Sequence, residues 1–428
     1  MRTVIIGGGV LGLTLAYDLA RQGVDVDVID ARRPGLGASE VNAGWVVPAE
    51  AAPVPGPGLI AKSLKWMVRR DSPLYIRPSL QPSHVRFMVS MWRRCNARDF
   101  RRGFQAHLAL AETTNEILDD YARNGVVFDS YEQGLLMAFA HRSHLEHHLG
   151  DLDIPTSFGL DPQVLIGDEI QQVEPGLRAG LGGGIYFPGE RHLDAASLTT
   201  GLRARCIELG VTITADTPID AVERLGERVL AVRSGDRRIA ADMFVVAAGA
   251  WTGRITAMFG VPLPIRAGKG YSLDLTPAPV QVRTALNLSD AKVAMTPYAG
   301  RLRLSGTMEF AGHDEKVNQT RVQAILRAPT NYFDDYVAPS HAPQARAGMR
   351  PMTPDGMPVI GLLPGTDNSY VSSGHGMLGI TLGPGTSLAL AELMLGTARP
   401  TQLLPFTPDR FVRRPRPMPA LARSGAHR

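Results

Sequence analysis

The first thirty residues constrain the fold more than any other stretch. Thr3–Ile6 is a short apolar run, followed by Gly7-Gly8-Gly9-Val10-Leu11-Gly12. A helical pattern then continues to Gln22, and Val24–Ile29 leads to Asp30. This order reads as strand, glycine turn, helix, strand. Gly7, Gly9 and Gly12 fill a G-x-G-x-x-G spacing, and Asp30 stands eighteen residues past Gly12. Gly7 permits the tight turn, Gly9 lets backbone approach a pyrophosphate, and Gly12 lets helix and strand pack closely. The helix N-terminus offers unpaired N–H groups and partial positive charge to phosphates. Asp30, ending the second strand, is placed to accept hydrogen bonds from ribose hydroxyls. A dinucleotide site is therefore expected here.

A secretory signal is not expected, because Asp18 and Arg21 interrupt the apolar run and no small-residue cleavage site follows. No stretch approaches the roughly 20 apolar residues of a membrane span. A chain of 428 residues predicts two structural domains, and 44% hydrophobic with 20% charged residues suits a sizeable core. Cys95 and Cys206 stand alone, without a C-x-x-C, so neither disulfide framework nor metal site is expected and a reducing cytoplasm fits.

The formal charge of +4 is unevenly spread. Residues 62–102 hold eleven Lys or Arg against Asp71 and Asp99, and residues 410–428 hold six Arg and no acid. Two local basic segments argue against a nucleic-acid partner and for a local anionic one, such as the inner face of the cytoplasmic membrane.

Further along, residues 46–58 read as an extended Pro/Ala/Gly loop, and Leu59–Arg69 and His84–Arg94 as short amphipathic helices that cover the site or lie on a membrane. Periodicity over 105–124 predicts one helix stopped by Gly125, with Val126–Phe128 and Gly134–Phe139 as strands. His141, His144, His147 and His148 fall on a helix; without flanking ligands they read as a solvated face, not a metal site. A second βαβ-like passage starts near Gly184, with Asp194 capping a helix over Ala195–Leu209 and strands at Val211–Thr214 and Asp242–Ala248. Val229–Arg233 and Arg238–Ala240 suggest a meander, and residues 261–335 alternate strands and turns before a helix over Gln319–Ala328. The chain becomes glycine-rich again from Ala347 and ends in a helix over Thr386–Leu395.

Ala247-Ala248-Gly249-Ala250-Trp251, Arg350-Pro351-Met352-Thr353-Pro354-Asp355-Gly356 and Gly374-His375-Gly376-Met377-Leu378-Gly379 resemble the FAD-dependent D-amino-acid oxidase superfamily. Asn42-Ala43-Gly44, the loop before Lys65-Trp66-Met67, and Lys269-Gly270-Tyr271-Ser272 are most similar to its bacterial D-amino-acid dehydrogenases. The resemblance spans residues 1–411 and implies an α/β fold. A Rossmann-like FAD-binding domain is assembled from discontinuous segments (1–85, 140–260, 340–411). An inserted α+β substrate domain (86–139, 261–339) is built on a mixed, largely antiparallel sheet, and 412–428 form a basic arm.

For the cofactor, FAD, the resemblance implies a pyrophosphate turn at Gly7, Gly9, Val10, Leu11 and Gly12, and a ribose acid at Asp30. Ser39, Asn42, Ala43 and Gly44 run beside the flavin, Ile219 reaches adenine, and Ala248 and Gly249 pass near phosphates or ribose. Gly376, Met377, Leu378, Gly379 and Ile380 supply N–H groups at the pyrimidine edge. Arg350 is the implied carboxylate clamp, Tyr271 a substrate-side tyrosine, and His375 a positional group beside the flavin. The implied reaction is oxidative deamination of a D-amino acid by hydride transfer from Cα to flavin N5, with electrons passed to a quinone or the respiratory chain. Dehydrogenation of a cyclic secondary amine, such as D-proline or cis-4-hydroxy-D-proline, is the alternative. The fingerprint alone also allows an NAD-dependent dehydrogenase, which the Arg350 and Gly374 motifs oppose.

Overall fold

The structure is a computed structural model that describes residues 1–59, 72–339 and 343–412. Its first sheet has six strands in the order Thr212–Thr214, Asp25–Ile29, Arg2–Ile6, Met243–Val246, Ser369–Ser373, Val359–Leu362. All neighbours are parallel except the last pair. Alternation along the central strands feeds two cores. Ile5 and Val245 face the helices Val10–Arg21, Ala195–Glu208 and Gly379–Leu395, while Val4, Ile6, Phe244 and Val246 face the other way. There they meet the meander Ala221–Leu225, Arg228–Ser234, Arg237–Ala240 and the helix Thr252–Met258. Burial on both faces explains why these strands read as near-continuous apolar runs.

The second sheet has nine strands and is mixed. Its path runs Arg346–Met352, Arg266–Leu275, Arg301–Phe310, Val293–Tyr298, Ala285–Leu288, Leu135–Phe139, Gly183–Phe187, Gln163–Ile166, with Leu74–Ile76 beside Arg301–Phe310. Pairing is antiparallel apart from Ala285–Leu288 with Leu135–Phe139 and Leu74–Ile76 with Arg301–Phe310. The helix Gln319–Arg327 packs into its core through Val322 and Ile325. Three short strands, Trp45–Val46, Arg191–Leu193 and Ser130–Tyr131, form a small separate sheet.

Several expectations change. The single helix over 105–124 is two, Ala97–Ala111 and Thr114–Arg123. The break at Glu112–Thr113 lets the Thr114 hydroxyl donate to the Thr381 carbonyl at 2.7 Å. Val126–Phe128 is not a strand; pairing with Arg191–Leu193 falls to Ser130–Tyr131 instead. The last helix starts at Gly379, well before Thr386. Asp194 caps its helix as expected, accepting from the Ala196 N–H at 2.9 Å. Beyond Leu59, the helix proposed over Leu59–Arg69, with Lys65-Trp66-Met67, lies outside the described residues, as do residues 413–428 of the basic arm.

Sheet membership also crosses the segment boundaries that the resemblance implies. Leu74–Ile76, Gln163–Ile166, Gly183–Phe187 and Arg346–Met352 all belong to the nine-stranded sheet. Phe104, Leu108, Leu118 and Tyr121, expected with the substrate part, are buried in the core of the glycine-turn helix.

Candidate active site

The glycine turn lies at the carboxyl end of Arg2–Ile6, where open α/β sheets bind ligands. Gly7 has a φ of +115°, and a Cβ on it would collide with the Ala247 carbonyl; a Cβ on Gly12 would collide with the Gly7 carbonyl. Those two glycines serve packing. Gly9 differs: its φ is ordinary at −78°, and a Cβ there would meet only the Ser39 Oγ, at 3.2 Å. It borders a cavity of about 430 Å³ together with Gly7, Val10, Leu11, Asp30 and Ser39. Gly9 also N-caps the helix without a side-chain cap, leaving first-turn N–H groups to other partners; Val10 N–H donates to Ser39 Oγ at 3.0 Å.

The Asp30 carboxylate is fixed at the rim by the Gly8 N–H at 2.7 Å and the Arg32 N–H at 2.8 Å. Ile219, Ala248 and Gly249 line the same cavity, and Gly376 and Gly379 close its other end. Among the described residues, two buried polar atoms of residues on its wall, Ser372 Oγ and His375 Nδ1, have no hydrogen-bond partner. Orphaned groups beside a void are what a polar ligand satisfies. An uncapped helix N-terminus, a fixed acid and these orphans fit a dinucleotide.

A second cavity of about 460 Å³ shares Ala38, Asn42 and Gly376 with the first. Ala43, Met377 and Leu378 line it from one side and Arg350 from the other. Arg350 stands on the strand Arg346–Met352 and donates one N–H to the Thr307 carbonyl at 2.6 Å. Among the described residues it has no carboxylate partner. Burial lowers its pKa to about 10, so it keeps its charge at neutral pH. A half-buried guanidinium without a counter-ion on a cavity wall is placed to receive an anion, and its planar fork suits a carboxylate.

The other two implied catalytic residues are placed differently. Tyr271 borders the second cavity, but its hydroxyl donates to Glu309 Oε1 at 2.8 Å and accepts from the Asn318 N–H at 3.2 Å. Its one hydroxyl hydrogen is thus already used within the sheet. His375 lies on the first cavity; its Nε2 pairs with the Thr386 hydroxyl at 3.0 Å. Burial pushes its pKa down to about 3, so it is neutral. Gly12, Gly44 and Ile380 border neither cavity. Gly44 has φ +80°, and a Cβ on it would collide with the Leu193 carbonyl, so its role is in packing.

Sequence reasoning missed the residues that hold this site in place. Gly270, in the strand beside Arg350, leaves room for the guanidinium; a Cβ there would overlap it. The Lys269-Gly270-Tyr271-Ser272 stretch carries this signal in Gly270 rather than in Tyr271. The loop at 40–44 is tied down from the nine-stranded sheet. Arg303 donates to the Asn42 and Glu40 carbonyls at 2.9 and 3.3 Å, and Thr296 and Tyr298 hydroxyls donate to the Ala43 carbonyl at 2.9 and 3.0 Å. Asp274 holds the other face of Arg303 at 2.7 and 2.9 Å. No local pattern identifies these long-range pairs.

Residues 2–393 match the family described as DAO, FAD dependent oxidoreductase. The chain is 34% identical over 408 residues to a D-amino acid dehydrogenase of Granulibacter bethesdensis, covering 92% of this chain and 96% of that one. It is 35% identical over 413 residues to a D-amino acid dehydrogenase of Methylobacterium radiotolerans, covering 93% and 96%. Glycine oxidase from Geobacillus kaustophilus shares the fold, with a TM-score of 0.74 at 23% identity over 96% of this chain and 100% of that one. A family match across nearly the whole length, on a glycine turn and cavity suited to a dinucleotide, has one meaning: the chain belongs to the DAO family of FAD-dependent oxidoreductases.

Proposed function

We propose that this enzyme oxidises a D-amino acid to its 2-oxo acid and ammonia. The observation that carries the reading is Arg350, a half-buried cation with no acid partner among the described residues, on a chamber that shares Ala38, Asn42 and Gly376 with the dinucleotide cavity. The D-amino acid dehydrogenases similar along more than nine-tenths of the chain support the substrate class. Gly9, Asp30, Ser39, Ala248, Gly249 and Gly376 are the residues that would hold FAD, with Gly7 and Gly12 shaping the turn. When bound, FAD supplies two-electron oxidation by accepting a hydride from the substrate Cα. Arg350 binds the carboxylate and orients Cα; the loop fixed by Arg303, Thr296 and Tyr298 sets the cofactor-side wall. Neutral His375 holds no proton to donate as an acid, and its Nδ1 remains a polar group for the cofactor cavity. The imino acid product is hydrolysed by water to the 2-oxo acid and ammonia.

The electron acceptor is a quinone or another respiratory-chain carrier, and contact with the membrane is peripheral. Among the described residues no helix is long and apolar enough to cross a membrane. The exposed apolar side chains of the helix Pro82–Arg94, flanked by arginines, support the surface contact.

Replacing Arg350 with Lys keeps the charge and loses the fork. We expect kcat/KM to fall about 10²-fold, or roughly 3 kcal/mol of transition-state stabilisation, with flavin content unchanged. Anaerobic flavin bleaching by D-amino acids measures this. Bleaching at the wild-type rate and concentration dependence sinks the clamp, and flavin loss in place of a kinetic defect makes Arg350 structural.

A further inference from the structure

We propose that the chamber beside Arg350 selects amino acids with a large apolar side chain, through a wall built by Leu74, Ile76, Met91, Trp92, Met308 and Phe310. This rests on the D-amino-acid reading and specifies its substrate. All six residues border the same cavity as Arg350. They come from three elements brought together by the fold. Met308 and Phe310 lie two apart on Arg301–Phe310, so they share a face. Leu74 and Ile76 stand opposite them in register, and Met91 and Trp92 descend from the helix Pro82–Arg94.

The wall begins at the clamp itself: Met308 Sδ lies 3.9 Å from the Arg350 guanidinium. A carboxylate held by Arg350 therefore brings the substrate side chain against Met308 and the surfaces behind it. Those surfaces form one buried cluster in which Leu74, Met91, Met308 and Phe310 pack with Phe87, Met88 and Met352. Trp92, 48% exposed yet on the cavity wall, stands where chamber meets solvent.

No member of this wall carries a charge. Among the described residues, the other charged groups on the chamber are Glu50 and Lys292, which act on each other electrostatically. A substrate side chain bearing a carboxylate or ammonium would lose its water against the wall without a partner there. Four of the seven clustered residues are methionines, whose flexible thioethers adapt to different apolar shapes. The selection is thus broad within the apolar class, taking branched, thioether and aromatic side chains alike.

The test is anaerobic flavin reduction of the purified holoenzyme by D-leucine, D-methionine, D-phenylalanine, D-alanine, D-glutamate, D-lysine and D-proline. Each buried methylene should raise kcat/KM about fourfold. D-leucine should therefore exceed D-alanine by about 30-fold or more, and D-glutamate and D-lysine should fall below D-alanine. Equal or better reduction by D-alanine, D-glutamate or D-lysine overturns the selection while leaving the deamination reading intact. Reduction by none of the panel, or by D-proline alone, removes that reading and the proposal with it. Ile76→Lys locates the wall: the ratio of kcat/KM for D-leucine to that for D-alanine should drop at least about tenfold, mainly through KM for D-leucine. The milder Ile76→Thr should shift the same ratio in the same direction if the lysine variant folds poorly. An unchanged D-leucine to D-alanine ratio in a folded variant shows that Ile76 does not touch substrate.

Discussion

At the scale of single residues, Gly9 separates binding from folding. Gly7 and Gly12 have no room for a Cβ, so substituting either damages the protein itself. Gly9 has ordinary backbone angles and borders a cavity, and a Cβ on it would meet only the Ser39 Oγ, at 3.2 Å. Gly9→Val should therefore fold with a near-normal unfolding midpoint and purify without flavin. A folded Gly9→Val protein carrying full flavin would refute the phosphate-side assignment. Asp18, in the same helix, is an acid buried in the core. Burial raises its pKa from 3.8 to about 8, against the hydrogen bond donated by the Tyr121 hydroxyl at 3.1 Å. Its carboxyl ionises in the unfolded chain above about pH 4 but not in the folded one until about pH 8. Its contribution to stability is therefore lost as pH rises through that window. Asp18→Asn should be close to neutral at pH 4 and stabilise by at least about 1 kcal/mol at pH 8. Urea unfolding at both values decides, and a pH-independent difference between variant and parent defeats it. The glycine spacing was legible because it is a local pattern with one chemical use, whereas Arg350 was singled out only by the family resemblance. Gly270 and Arg303 were not legible, since their roles exist only once distant strands meet.

Elements were legible where amphipathic period and caps agreed. The turn helix, the Asp194-capped helix and the strands Arg2–Ile6, Asp25–Ile29, Thr212–Thr214 and Met243–Val246 stand close to their expected positions. The segment 105–124 misled because apolar period continues through Glu112–Thr113, while the break is set by a hydrogen bond to Thr381 far along the chain. The helix Pro82–Arg94 is informative for having two apolar faces. Phe87, Met88 and Met91 are buried, whereas Val85, Val89 and Trp92, spaced i, i+4, i+7, are 45%, 37% and 48% exposed. Arg86, Arg93 and Arg94 are exposed on the same helix, and Arg98, Arg101 and Arg102 on the next. Two of these already have partners, Arg94 with Asp99 at 3.5 Å and Arg101 with Asp153. Apolar anchors ringed by cations suit an anionic lipid surface, at roughly 1 kcal/mol per well-placed cation. Sedimentation with anionic vesicles should fall steeply as salt rises, and Arg86→Glu with Arg93→Glu should weaken it about tenfold or more. Equal sedimentation with neutral vesicles, or none with either, rejects the contact.

At the scale of the molecule, class and cofactor were legible while the partition of the chain was not. Segment boundaries follow local motifs, but strand pairing is decided by partners hundreds of residues away. Leu74–Ile76 joins the nine-stranded sheet because it meets Met308–Phe310. The two sheets meet at the loop 40–44, which leads from the glycine-turn core and is held by side chains of the other sheet. Arg303 is the centre of that tether, 1% exposed, with Asp274 on one side and two loop carbonyls on the other. Its guanidinium touches neither cavity. Arg303→Lys retains the charge and surrenders the fork, so the loop carbonyls and Asp274 can no longer all be satisfied at once. A buried hydrogen-bonded charge network weakened in this way should cost about 2 kcal/mol of stability. If the loop also shapes the cofactor wall, FAD affinity should fall about tenfold in the same variant. Linkage distinguishes this from a general loss of stability. FAD raises stability by RT ln(1 + [L]/Kd), so a tenfold weaker site reduces the FAD-induced increment by about 1.4 kcal/mol at saturating ligand. A tether with no bearing on the cofactor lowers apo and FAD-loaded stability equally. Unfolding midpoints of both forms, with FAD titrated into the apoprotein, measure the two quantities on one sample. An unchanged Kd and an unchanged increment would confine Arg303 to holding the sheets together.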